Sequence, residues 1–242
     1  MTEITVEEAR ARRLARKKRR RRRRLLLTVL ALLLALCALL TLLRLTRRSA
    51  ELPATPEEGS DVLPETPENT TLRFLQQAEL PDWVEVQLVP VNGAGRRGVE
   101  LEELNAIVIH YVGNPGTTAR QNRDYFAQET TEVSSHFLVG LEGEILQCVP
   151  LWEKSSATNH RNLDTLSIEV CHPDDSGVFT PESYDALVRL TVWLCRLCGF
   201  DSDDVIRHYD VTGKLCPKHF AENEEAWQQF RSDITQALSA PQ

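Results

Sequence analysis

The stretch "RHYDVTGKLCP", residues 207–217, concentrates side chains that could do chemistry. His208 and Cys216 offer a nitrogen and a sulfur atom, two ligand types that suit zinc, eight residues apart across a segment that can fold back. The "TGK" within it suggests a phosphate-binding loop, which requires G-x-x-x-x-G-K-[ST]. His208 stands where the first glycine should be and Leu215 where the hydroxyl residue should be, so this interpretation is excluded.

A third candidate ligand is His110, which ends the apolar run "IVIH". The end of a buried strand is a place from which a rigid scaffold delivers a side chain into a cleft. Two histidines and one cysteine would leave the fourth position of zinc open, as in catalytic rather than structural sites. The alternative is that His110 is a hydrogen-bonded core residue, and spacing alone does not decide between the two.

Two further residues could serve a metal site. Lys214 lies two residues before Cys216, where its ammonium group could stabilise negative charge that develops on a substrate carbonyl. Glu169 interrupts the apolar strand "LSIEVC", and burial would raise its pKa toward that of a working general base. The alternative for Glu169 is a carboxylate at a sheet edge that faces solvent or pairs with an arginine.

The elements that must position these residues form a mixed pattern of strands and helices. Apolar runs predict strands at 105–112, at 165–172 and around "DVIRHYD", and a hairpin within 135–150. Helices are predicted at 118–129, capped by Thr117 or Thr118, and at 222–239. A third runs from Thr180 as cap, through Pro181 at the first position, to a stop at Gly199. The pattern indicates one α/β domain of about 170 residues over 72–242, large enough for a single core.

The residues before this domain predict a membrane anchor. The nineteen uncharged residues 25–43 would span the roughly 30 Å hydrocarbon core of a bilayer as a helix. A cleaved signal peptide is the rival, but the apolar run is long and no small-x-small cleavage pattern follows it. The basic segment 1–24 then lies in the cytoplasm against anionic lipids of the inner leaflet, with the rest outside the cell. Residues 44–71, rich in Pro, Glu and Thr, predict a disordered extracellular linker.

Charge excludes one class of function. The overall net charge of −7 divides into +12 for residues 1–48 and −19 for the remainder. An acidic domain is a poor partner for nucleic acid, because phosphate binding needs a basic surface. The arginine run at 16–24 precedes the apolar span, so we interpret it as a membrane-proximal segment and expect no nucleic-acid partner.

Four motifs occur in an order that resembles a known family: "IVIHYVGNPGT", "SSHFLVGLEGEILQCVP", "SIEVCHPD" and "RHYDVTGKLCP". Over residues 82–235 the chain resembles the zinc-dependent N-acetylmuramoyl-L-alanine amidases, which include phage lysozyme-type amidases and peptidoglycan recognition proteins. The resemblance implies a central mixed β-sheet flanked by helices, with zinc in a surface groove. It implies that His110, His208 and Cys216 bind zinc, that Glu169 is the acid/base carboxylate and that Lys214 assists at the oxyanion.

The chain departs from the family pattern at two places. Ser135 stands where some phage members have a catalytic tyrosine, so no tyrosine role is carried over. Where many relatives have Trp-His before the glutamate strand, this chain has "SSATNHRNLDT", and Asn159 or His160 is expected to line the groove without a catalytic role. His136 is expected near the groove, where a supporting or structural role and contact with substrate both stay open. A disulfide between Cys148 and Cys171 stays open.

The resulting hypothesis is a membrane-anchored, monomeric hydrolase with its catalytic domain outside the cell. It would cut peptidoglycan at the amide bond between the lactyl group of N-acetylmuramic acid and L-alanine. The alternative is a membrane-anchored peptidoglycan sensor without hydrolytic activity, in which zinc serves only recognition. The complete set of expected ligands with Glu169 and Lys214 favours the enzyme.

Overall fold

A six-stranded sheet forms the centre of the protein. The computed structural model describes residues 72–91 and 93–240. The strands are β1 (Val84–Val86), β2 (Ala106–Tyr111), β3 (Phe137–Val139), β4 (Ile145–Gln147), β5 (Thr165–Val170) and β6 (Val205–Arg207). The helices are α1 (Arg73–Gln76), α2 (Ala119–Phe126), α3 (Pro181–Cys198), α4 (His208–Thr212), α5 (Lys218–Glu222) and α6 (Glu224–Ser239), with a 3-10 turn at Asn159–Arg161.

The predicted anchor and linker lie outside the described residues, since both fall within 1–71. The segment boundaries at 1–24, 25–43 and 44–71 therefore stay predictions. Within the part of the chain that the structure describes, none of the helices has the length and apolarity that a bilayer crossing requires.

The sheet is mixed, as the family resemblance implied. Its strand order is β1-β4-β3-β5-β2-β6, and the only antiparallel neighbours among these strands are β3 and β4, which form the expected hairpin. The other four pairs are parallel, with β5 and β2 in the interior of the sheet. Parallel strands buried on both faces need long apolar runs, which is what the sequence of β2 supplies.

Side chains of successive strand residues enter two different apolar layers. Ile107 and Ile109 of β2 pack in the larger layer with α3 and α6, whereas Leu138 of β3 packs in a smaller layer with Phe126 of α2. Because side chains alternate along a strand, His110 points away from the layer that holds Ile109. The site residues of the sheet therefore lie on the face that carries the smaller apolar layer.

The capping and stop signals in the sequence are confirmed at helices α2 and α3. Helix α2 is capped by Thr118, whose hydroxyl accepts from the backbone N–H of Gln121 in a capping box. Helix α3 is capped by Thr180, has Pro181 in its first turn, and ends at Gly199 with a φ of 70°.

Some short elements differ from the sequence prediction. The run "DVIRHYD" was predicted as a strand, but only Val205–Arg207 is strand, and His208–Thr212 forms a short helix. Helices α1 and α5 and strand β1 were not predicted, because three to five residues are too few to show a period. Cys148 and Cys171, for which a disulfide was left open, are both buried free thiols.

Candidate active site

The site begins with a row of residues across three neighbouring parallel strands. His110 of β2 stands opposite Glu169 of β5 in the ladder. On the other side of β2, Ile109 pairs with Arg207, so His208 follows directly at the level of His110. The sheet register thus brings together three residues that lie up to 98 positions apart in the sequence. Ligand sites of α/β sheets commonly form at these carboxyl ends of parallel strands.

The short helix α4 returns the chain to deliver Cys216. Gly213 ends the helix with a φ of 77°, a left-handed conformation that glycine adopts without strain. The backbone N–H of Tyr209 then donates to the carbonyl oxygen of Cys216 at 2.8 Å, which closes the loop. The sulfur of Cys216 lies 3.7 Å from Nδ1 of His110. One ligand atom from each of His110, His208 and Cys216 lies within 4.8 Å of the others.

The electrostatics of these three residues suit a cation. Burial, with the nearby His208 and Lys214, holds the pKa of His110 well below its usual value, so its imidazole is neutral and keeps a lone pair. Burial also raises the pKa of the Cys216 thiol to about 12, although the backbone N–H of Tyr111 donates to its sulfur. Two neutral imidazoles and a buried sulfur are a soft N₂S donor set, so the residues present fit a zinc-type ion.

Glu169 adds an unsatisfied carboxylate beside this donor set. Its Oε1 lies 3.9 Å from Nδ1 of His110, and its Oε2 has no hydrogen-bond partner although that atom is buried. Burial raises the pKa of Glu169 to about 8, and the positive charge of Lys214 opposes this rise. The sheet-edge alternative is wrong, because β5 is an interior strand and the side chain is only 18% exposed.

A groove runs past these residues and widens into two cavities. The first, about 640 Å³, contains the site itself and is lined on its outer side by Tyr111, Asn114, Tyr125 and Val133. The second, about 510 Å³, is lined by charged and amide side chains, namely Arg97, Glu132, Lys154, Asn159 and Asn162. The two share Val133, Ser156, Ala157, His208 and Lys214. We refer to the second cavity as the charged arm of the groove.

Lys214 lines both cavities and so lies at their junction. Its side chain is exposed, and its charge is close enough to lower the pKa of both His110 and His208. A flexible ammonium group at this junction can reach a substrate that crosses from one cavity to the other.

Two residues bonded to the histidines were not assigned a role by the sequence. Thr158 Oγ1 lies 3.3 Å from Nε2 of His110, and Asn159 Oδ1 lies 2.8 Å from Nε2 of His208. Asn159 lines the groove, as expected. No spacing pattern in "SSATNHRNLDT" marks these contacts, because they depend on where the loop folds.

His136 does not line the groove cavity that contains the predicted ligands. It is fully buried, with Nε2 2.8 Å from the carbonyl oxygen of Glu153 and Nδ1 accepting from the backbone N–H of Ser167 at 3.0 Å. Among the roles that the sequence left open, full burial and these contacts agree with a structural role rather than contact with substrate.

A mixed sheet that places His110, His208 and Cys216 beside a buried carboxylate has the type of donor set and acid/base group that single-metal hydrolases use. Residues 100–219 match the family described as N-acetylmuramoyl-L-alanine amidase, and all five predicted site residues fall inside the match. Residues 100–219 therefore carry an N-acetylmuramoyl-L-alanine amidase domain.

Curated relatives carry the same description. The chain is 29% identical over 172 residues to N-acetylmuramoyl-L-alanine amidase BlyA of Bacillus subtilis (strain 168), covering 62% of this chain and 46% of that protein. It is 28% identical over 167 residues to N-acetylmuramoyl-L-alanine amidase CwlL of Bacillus licheniformis, with the same coverage. The chain thus spans about half the length of the curated relatives it matches.

Solved structures share the fold. The catalytic domain of XlyA is 24% identical with a TM-score of 0.55, covering 62% of this chain and 98% of that one. The catalytic domain of PlyG is 21% identical with a TM-score of 0.56, covering 66% of this chain and 99% of that one. At these identities the likeness establishes the fold alone.

Proposed function

We propose that this protein hydrolyses peptidoglycan at the amide bond between the lactyl group of N-acetylmuramic acid and L-alanine of the stem peptide. The observation that carries the proposal is that three candidate metal ligands, His110, His208 and Cys216, lie close together in a groove. The carboxylate of Glu169 lies beside them, and its Oε2 has no hydrogen-bond partner. The match of residues 100–219 to the amidase family supports the same reaction.

The metal that suits these residues is zinc. His110, His208 and Cys216 would hold it, and three protein ligands leave a position for water or substrate. When bound, zinc supplies Lewis acidity, which polarises an amide carbonyl and lowers the pKa of water. Its positive charge also opposes the burial that raises the pKa of Glu169, so metal binding favours the ionised carboxylate.

Glu169 is the proton carrier in the proposed reaction. Its Oε2 has no hydrogen-bond partner, so it is free to accept a proton from the attacking water. The same carboxyl group then delivers this proton to the nitrogen of the departing L-alanine. Lys214, at the junction of the two cavities, donates a hydrogen bond to the carbonyl oxygen as negative charge develops there.

The groove offers different chemistry on the two sides of the site. The cavity with Tyr111 and Tyr125 presents aromatic rings and amides, which suit a sugar. The charged arm carries Arg97 and Lys154, which suit the carboxylates of a stem peptide, although Glu132 lies there as well. We assign the glycan to the first cavity and the stem peptide to the charged arm.

The place of action is proposed from the sequence alone. Residues 25–43 would anchor the chain in the cell membrane, with residues 1–24 on anionic lipids of the inner leaflet. The domain would then act outside the membrane, tethered by residues 44–71, and as a monomer.

The test is hydrolysis of purified peptidoglycan by the zinc-loaded protein, followed through newly exposed L-alanine amines. Glu169→Gln keeps the shape of the side chain but not its basicity, so we expect a loss of about 10²-fold or more in rate with zinc content unchanged. Cys216→Ser should instead lower zinc content. His160→Ala, an exposed neighbour of the site without a proposed role, is the matched control and should behave as wild type.

Two results would overturn the proposal. Full activity of Glu169→Gln would remove the carboxylate from the mechanism. Zinc-loaded wild type that binds peptidoglycan but releases no amines would favour the sensor function instead.

A further inference from the structure

The two candidate histidine ligands are each bonded to a residue of one short loop. The 2.8 Å contact joins Oδ1 of Asn159 to Nε2 of His208, and the 3.3 Å contact joins Oγ1 of Thr158 to Nε2 of His110. These neighbouring loop residues therefore contact both histidines through the same ring nitrogen, Nε2.

The backbone of this loop is fixed from within. The Oδ1 atom of Asn162 accepts from the backbone N–H groups of Ala157 at 3.1 Å and Thr158 at 2.6 Å. Asn159 has a φ of 56°, a left-handed conformation that asparagine and glycine tolerate better than most residues. Thr158 is completely buried. The backbone that carries the two oxygen atoms is thus held independently of the histidines.

The contact with Asn159 determines which ring nitrogen of His208 can bind a metal. An amide oxygen only accepts hydrogen bonds, so Nε2 of His208 must carry the proton. In a neutral imidazole this leaves the lone pair on Nδ1. For His110, Nδ1 is the nitrogen that lies 3.7 Å from the sulfur of Cys216. A threonine hydroxyl can donate or accept, and when Thr158 accepts from Nε2 the lone pair of His110 lies on Nδ1, on the same side as that sulfur.

We propose that Asn159, together with Thr158, is a positioning residue that holds His208 and His110 in the tautomer and ring orientation that present Nδ1 to the metal. The inference rests on the proposed zinc site and adds to it a role for this loop. Partners of this kind orient metal-binding histidines, and their loss typically lowers metal affinity by about 10–100-fold. We expect the lower end for Asn159, because it is exposed and water can replace its oxygen in part.

The test compares two substitutions that both tolerate the left-handed backbone. Asn159→Gly removes the acceptor oxygen, whereas Asn159→Asp keeps it. The measurement uses the full chain in mild detergent, with Zn²⁺ affinity determined by competition with a chelator of known affinity. We expect Asn159→Gly to bind Zn²⁺ about 10-fold more weakly and Asn159→Asp to bind as tightly as wild type or tighter.

A second readout separates positioning from general stability. Co²⁺ placed in the same site should show a changed visible spectrum in Asn159→Gly and an unchanged one in His160→Ala. Thr158→Val, which keeps the shape but removes the hydroxyl, should also weaken Zn²⁺ binding. The thermal stability of the metal-free proteins shows whether any variant is simply less folded.

The outcomes distinguish this inference from the proposed function. Equal Zn²⁺ affinity in Asn159→Gly and wild type would overturn the positioning role while leaving the zinc site intact. Equal weakening in Asn159→Gly and Asn159→Asp would also overturn it, since the acceptor would then be irrelevant. Absence of tight Zn²⁺ binding by wild type would instead refute the site itself.

Discussion

The buried imidazole of His136 should make the stability of this protein fall with acid in a defined way. Its Nδ1 accepts from the backbone N–H of Ser167, and its Nε2 lies 2.8 Å from the carbonyl oxygen of Glu153. The carbonyl fixes the proton on Nε2. Protonation would therefore place a second proton on Nδ1, which faces the backbone N–H of Ser167, a group that can only donate, and the Oγ of Ser167 at 3.1 Å, which already accepts from the backbone N–H of His136. The geometry thus favours the neutral ring, as does burial.

The size of the effect follows from the pKa. Burial lowers the pKa of His136 from 6.5 to about 4, although the carbonyl of Glu153 opposes this. Between these values the unfolded chain binds a proton that the folded protein does not, so stability decreases as pH falls from 6.5 toward 4. The full loss is about 3 kcal/mol, at 1.36 kcal/mol for each pKa unit. By pH 5 the loss relative to pH 7 is about 2 kcal/mol.

The assay is urea unfolding of the metal-free protein at pH 7 and pH 5, for wild type and His136→Gln. Glutamine can donate to the carbonyl and accept from the N–H, but it does not titrate. Burial lowers the pKa of both His110 and His208, but their contribution is common to both proteins and cancels in the comparison. We expect wild type to lose about 2 kcal/mol more than His136→Gln between the two pH values. Equal losses in both proteins would refute the reasoning.

Three further predictions concern the groove, the metal and the fold. Reversing charge with Arg97→Glu or Lys154→Glu should raise KM for peptidoglycan several-fold with little change in kcat, whereas Arg73→Glu, outside the groove, should change neither. Removing zinc with a chelator should lower the free energy of unfolding by about 2.7 kcal/mol relative to a zinc concentration 100-fold above Kd, and Cys216→Ser should show a much smaller difference. Thr180→Ala should cost about 1 kcal/mol in urea unfolding, because the cap of α3 is lost, and Thr180→Ser should restore it.

The central elements of the fold were predictable because each carries a local signal. The apolar run of β2 and the sequence of caps and stops around α3 determine structure over six to eighteen residues. Strand β1 and helices α1 and α5 gave no such signal, since elements of three to five residues depend on what they pack against. The mixed order of the sheet came from the family resemblance, because no local pattern specifies how strands pair.

The residue types of the site could be recognised in the sequence, but their proximity in the folded chain could not. His208 and Cys216 are close in the chain, whereas His110 and Glu169 reach them only through the ladder between β2, β5 and β6. The contact of Asn159 with His208 depends on a left-handed residue in a loop, which no periodicity reveals. The structural role of His136 likewise depends on its burial, which cannot be predicted from a single histidine in the sequence.

The position of bond cleavage tests the central claim most directly. A soluble muropeptide is digested by the zinc-loaded protein in water enriched in ¹⁸O, and the products are analysed by mass spectrometry. The account predicts one ¹⁸O atom in the lactyl carboxylate of N-acetylmuramic acid and a stem peptide with a free L-alanine amine, both absent with Glu169→Gln. Cleavage at a glycosidic bond or within the stem peptide would contradict it, as would label in any other carboxylate.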